Sequence, residues 1–148
     1  MDRYTAGHLG RLATVLPEMQ AKWAALEARM AAHGHRIMVA ADGAHRTAAD
    51  QRRLYAIGRT FVRGLWRVAD PARVVTNVLE PADGAHPRKA ALDAAFVRDG
   101  RYTQDEACPW ALYADEARAI GLECGADWKR PDRPHVALPN WRELPVLP

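Results

Sequence analysis

One junction constrains this chain more than any other stretch. Residues 36–41, Arg-Ile-Met-Val-Ala-Ala, read as a buried strand. The strand runs through Asp42-Gly43-Ala44-His45-Arg46 into Thr47, and Asp50 follows three residues later. Thr and Asp at that spacing satisfy each other's backbone N–H groups, so Thr47 is expected to cap a helix. That helix carries Gln51, Leu54, Tyr55 and Ile57 and stops near Gly58. Arg46 therefore sits where a strand ends and a helix begins, a place that commonly presents side chains to a cleft.

The rest of the order follows from periodicity. Met19, Trp23, Leu26 and Met30 mark one face of a helix over 17–33, with Pro17 at its start and Gly34 past its end. Residues 61–66 are apolar without a clear period, and 73–77 predict a short β-branched strand. After a turn at 84–87, residues 90–97 predict a strand that ends in the hairpin pair Asp99-Gly100. Alternation sends the Asp93 side chain to the face opposite Leu92 and Ala94. A third helix is expected over 109–120, a turn over 125–128 and a last strand over 134–138, before a Pro-rich tail with Trp141. Helices and strands mix without a βαβ repeat, which predicts an α+β fold with a mainly antiparallel sheet flanked by helices.

At 148 residues the chain is expected to form one domain, 1–148. No apolar run approaches a membrane span, so no membrane insertion is expected. The start lacks the basic-then-apolar pattern of a secretory leader, which predicts synthesis in the cytoplasm. The net charge of +3 reads as a mild, dispersed basic excess, with no nucleic-acid partner expected. Cys108 and Cys124 form no CxxC and read as buried thiols.

Spacing permits one metal chemistry. His86, Asp93 and His135 supply two imidazoles and a carboxylate, a set that can hold a catalytic zinc and leave a position for water. Asp132, three residues before His135, could act as base and then acid, and Arg46 could face a developing oxyanion. Spacing alone is a weak signal, and His8, His33, His35 and His45 stand as rival ligands. Asp127, beside Trp128, is a rival acid or a partner for a ligand imidazole. Gln51 could line the groove or serve helix packing. No HExxH helix, P-loop, GxGxxG or GxSxG is present.

Four motifs in order carry a resemblance. Gly43-Ala44-His45-Arg46-Thr47 leads to a Gln51-containing helix; Gly84-Ala85-His86 leads to Asp93; then come Gly125-Ala126-Asp127-Trp128 and Asp132-Arg133-Pro134-His135. Together they resemble the zinc D-Ala-D-Ala carboxypeptidase and L-alanyl-D-glutamate peptidase family. That family includes phage endolysins and shares its fold with the hedgehog signalling domain. The resemblance spans about 17–138. It implies Zn2+ on His86, Asp93 and His135 in a groove on the sheet, Asp132 as base and Arg46 orienting the substrate. The implied substrate is a bacterial peptidoglycan stem peptide, cut by a monomer that reaches the wall after release. The L-alanyl-D-glutamate bond is the first expectation. Alternatives are the D-Ala-D-Ala bond, or a zinc-containing module that binds wall peptides or a protein partner without turnover. Three positions depart from the family pattern: Gly84 replaces a Ser, Ala85 an aromatic and Lys89 a Gly.

Overall fold

Strand β4 (Ala91–Arg98) is the axis of the molecule. Five of its residues, Ala91, Leu92, Ala94, Ala95 and Phe96, are buried, so it reads as a central strand rather than an edge. In this computed structural model, which describes residues 3–148, β4 pairs antiparallel with β1 (Arg36–Val39), β5 (Arg101–Thr103) and β7 (His135–Ala137). A two-residue strand, β6 (Glu123–Cys124), pairs with the far side of β7. The sheet order β1-β4-β7-β6, flanked by four helices, is the expected α+β architecture.

Helix α2 (Pro17–Ala32) buries Met19, Trp23, Leu26 and Met30, the face marked by the sequence period. Helix α4 (Trp110–Ala119) buries Trp110, Tyr113, Ala114 and Ala117. Phe96 meets the rings of both Trp110 and Tyr113 edge-on, and this cluster joins α4 to the sheet. Both cysteines are buried free thiols.

Two elements were not legible. Helix α1 (Arg3–Leu12) contains Gly7 and Gly10, which oppose helix formation. Tertiary contacts stabilise it instead. His8 Nδ1 accepts from Val39 N at 3.0 Å, and Arg11 Nε donates to Val39 O at 2.9 Å, so α1 closes the exposed edge of β1. The ambiguous apolar stretch is a two-stranded sheet of its own, β2 (Arg59–Val62) with β3 (Leu65–Val68). Its turn is Arg63-Gly64, both with positive φ (53° and 78°).

The strand expected over 73–77 is not formed. Residues 71–73 are a 3-10 turn and the following backbone finds no sheet partner. Side chains hold it instead. Gln51 Nε2 donates to Val78 O and Thr76 Oγ1, and Arg59 Nη1 donates to Thr76 O at 2.9 Å. The basic charge is also less dispersed than expected. Residues 50–73 contain six arginines against two aspartates, an excess larger than the whole chain's +3.

Candidate metal centre

Register creates half of the site. Asp93 on β4 lies directly opposite His135 on β7, so both side chains leave the sheet on one face. Asp93 is also fixed by its backbone: its N–H donates to Gly43 O and its carbonyl accepts from Ala40 N, both at 2.8 Å. Gly43 must be bare there. A Cβ would lie 2.9 Å from both Ala40 O and Asp93 O.

His86 arrives from outside the sheet, on a 3-10 turn (His86–Arg88). Its Nδ1 lies 2.7 Å from Ala44 O, which can only accept. Nδ1 therefore carries the proton in neutral His86, and Nε2 presents a lone pair. Nε2 lies 3.2 Å from Asp93 Oδ1, and His135 Nδ1 lies 3.1 Å from the same oxygen. A lone pair facing a carboxylate oxygen is repulsive unless a cation lies between them. Burial, the largest influence, lowers the His86 pKa against the pull of Asp93, which favours a metal over a proton in that role. Burial pushes the Asp93 carboxyl up; when His86 is protonated, its charge and hydrogen bonds from His135 and His86 outweigh burial and hold the carboxyl well below the ordinary value.

One ligand atom from each of the three residues lies within 4.8 Å of the others. Two neutral nitrogens and an ionised carboxylate suit Zn2+, so the residues fit the group. His135 Nε2 is buried without a polar partner, and the Trp128 ring covers His135 at 4.7 Å between centroids.

Asp93 uses its second oxygen for Arg46. Arg46 Nη2 donates to Asp93 Oδ2 at 2.9 Å, while Arg46 Nε donates to Asp42 O at 2.9 Å. Both side chains are largely buried, at 9% and 14% exposure. Arg46 thus orients the carboxylate so that Oδ1 alone faces the imidazoles, a role that the sequence did not indicate.

Asp132 lines the same cavity, which has a volume of about 300 Å³. Burial first, and then the charge of Asp93, push its carboxyl up to about 6. Its backbone folds against Gly125: Asp132 N donates to Gly125 O at 2.9 Å, and His135 N to Asp132 O at 3.2 Å.

Gln51 also borders the cavity but is 1% exposed, and its amide nitrogen is spent on the 76–78 loop; it shapes the wall and serves packing. The role expected of Asp127 is corrected. Its carboxylate is exposed and pairs with Arg118 at 2.6 and 3.0 Å, on the helix nine residues upstream, and makes no hydrogen bond to a ligand imidazole. Of the rival histidines, His8 is paired with Glu27 and His33 with Glu116.

Two departures from the motif also find reasons. Lys89 adopts a left-handed conformation (φ 57°, ψ 26°), where a glycine is unstrained. Lys89→Gly is expected to raise stability by about 0.5–1 kcal/mol, the relief of left-handed strain less the added freedom of the unfolded chain. Urea denaturation of the metal-free proteins measures it, and a lowered midpoint would refute the account. At Gly84 a Cβ would meet Val78 Cγ1 and Pro87 Cδ at 3.3 Å, so a serine would need both neighbours to give slightly.

No family model and no curated protein sequence matches this chain. The fold does match. The crystal structure of the Serratia marcescens L-Ala D-Glu endopeptidase ChiX superposes with a TM-score of 0.54, over 94% of this chain and 91% of that chain, at 20% identity. The two proteins share their fold, and on it this chain brings together the His-Asp-His group expected from its motifs.

Proposed function

We propose that this chain is a zinc peptidase that hydrolyses peptidoglycan stem peptides, with the L-alanyl-D-glutamate bond as its substrate. The observation that carries this reading is the convergence of His86 Nε2 and His135 Nδ1 on one oxygen of Asp93, beside Asp132, in a cavity. The shared fold with an L-Ala D-Glu endopeptidase supports the choice of bond.

His86, Asp93 and His135 would hold Zn2+, which supplies Lewis acidity to the scissile carbonyl and makes an adjacent water acidic. Asp132 takes the proton of the attacking water on its carboxylate and passes it to the leaving amine nitrogen, so that it ends the cycle as it began. Arg46 keeps Asp93 turned toward the imidazoles. The Trp128 ring shields the His135 side.

Asp132→Asn is expected to lower kcat by about 10²–10⁴-fold while zinc content stays at one per chain. Turnover of a defined muropeptide, with metal analysis of the same preparation, checks both parts. Equal turnover by the two proteins would remove Asp132 from the mechanism. Mass spectrometry of the products tests the bond: loss of a terminal D-Ala identifies a carboxypeptidase, and a cut after the muramyl-linked L-Ala identifies the endopeptidase. Zinc binding without cleavage of any stem peptide would mark a binding module instead.

A further inference from the structure

The β2–β3 hairpin takes no part in the site and stands apart from the main sheet. Cross-strand pairs share a face, so Arg59, Phe61, Trp66 and Val68 lie on one side and Thr60, Val62, Leu65 and Arg67 on the other. The first side is anchored to helix α3 (Ala48–Ala56). There Trp66 meets the Tyr55 ring edge-on at 5.5 Å, and the Arg59 guanidinium lies 3.9 Å from the same ring. The second side is open. Val62 and Leu65 face each other at its tip and are 49% and 57% exposed, and on the opposite side Phe61 and Val68 are still 60% and 53% exposed. Two strands alone are marginal in water, so so much exposed aliphatic surface on this element calls for a covering.

The charge around the tip selects the covering. Arg52, Arg63, Arg67 and Arg73 are all exposed and make no ion pair among the described residues. Arg63 forms the turn itself and Arg67 sits beside Leu65 on the open face. A second copy of this hairpin would bring like charges together. A nucleic acid would seek free aromatic faces for its bases, yet Trp66 meets Tyr55 edge-on, Phe61, though 60% exposed, lies against Trp66 at 5.1 Å on the opposite face, and the open face carries only Thr60, Val62, Leu65 and Arg67. Aliphatic residues ringed by arginines match one surface best, an anionic lipid interface. There apolar side chains enter the acyl boundary, and guanidinium groups remain at the phosphate level.

We infer that the β2–β3 hairpin docks this protein peripherally on anionic membranes, with Val62 and Leu65 entering the interface and Arg63 and Arg67 binding lipid phosphates. No helix among the described residues is long and apolar enough to cross a membrane, and the docking proposed is adsorption at one face. It does not depend on the metal centre.

Co-sedimentation of the full chain with phosphatidylcholine vesicles, with and without phosphatidylglycerol, provides the test. Binding is expected only with phosphatidylglycerol and is expected to fall as salt rises. The pairs Val62→Ser with Leu65→Ser, and Arg63→Gln with Arg67→Gln, should each weaken partitioning by about tenfold or more. Circular dichroism of each variant confirms folding, since all four positions are exposed. The inference is overturned by no binding of the parent protein, or by binding that either the aliphatic or the arginine pair leaves unaffected. Tighter association with a single-stranded oligonucleotide than with vesicles would also overturn it, as would a dimer abolished by Val62→Ser with Leu65→Ser in the absence of vesicle binding.

Discussion

Replacement of Asp93 by alanine is expected to abolish zinc binding and, separately, to destabilise the metal-free fold by about 3–5 kcal/mol. The two effects have different origins. Oδ1 is the atom on which His86 Nε2 and His135 Nδ1 converge, so its loss removes the third donor. Oδ2 is the partner of Arg46, whose side chain is 9% exposed, so its loss leaves a guanidinium in a poorly solvated place. Arg46 retains only Asp42 O as a named partner. The double variant Asp93→Ala with Arg46→Met separates the origins. It should recover much of the lost stability, because no uncompensated charge remains, and recover none of the zinc affinity. Denaturant titrations with a chelator present give the first quantity, and competition with a chromophoric chelator the second. Equal stability of the single and double variants would refute the assigned role of Arg46.

The second large effect is expected at Gly125. Its Cβ position lies 2.3 Å from Asp132 O, 2.9 Å from His135 Cβ and 3.1 Å from Asp132 Cβ. Alanine cannot be placed without moving backbone that carries both the candidate base and a ligand. The Gly125 carbonyl also accepts from Trp128 N and Asp132 N, so the 128–132 loop is folded upon this residue. Gly125→Ala is therefore expected to cost about 2–4 kcal/mol in overpacking and to lower turnover by at least about 10²-fold through misplacement alone. Gly10, whose Cβ would meet nothing within 4 Å, is the control: Gly10→Ala should leave turnover unchanged. Full activity of Gly125→Ala would show that the loop has another arrangement competent for catalysis.

The strand–turn–helix junction was legible because its signals are local. Thr47 and Asp50 form the expected reciprocal cap, with Asp50 N donating to Thr47 Oγ1 and Thr47 N to Asp50 Oδ2. Alternation along 90–97 likewise placed Asp93 on the face away from Leu92 and Ala94. Register was not legible. Nothing local says that residue 135 lies opposite residue 93, and only motif order pointed to the pairing. Asp127 misled for the same reason, because Arg118 reaches it only after α4 has packed. Residues 73–77 had the composition of a strand but pair with no other strand, and β propensity counts for little without a partner. Helix α1 shows the converse, a weak helix former stabilised by its contacts with Val39.

The three candidate ligands are not held alike. Asp93 and His135 are fixed in paired strands, whereas His86 rides on a 3-10 turn secured by Ala44 O. The chain's last residues fasten that turn from outside, through Leu147 N to Pro87 O at 2.9 Å and Arg88 to Leu144 O. A bound ion would therefore leave by a preferred route, with His86 swinging away first while the strand pair stays closed. Its residence time would be governed by how often the 86–88 turn opens, and the tail would act as the latch on that exchange rate.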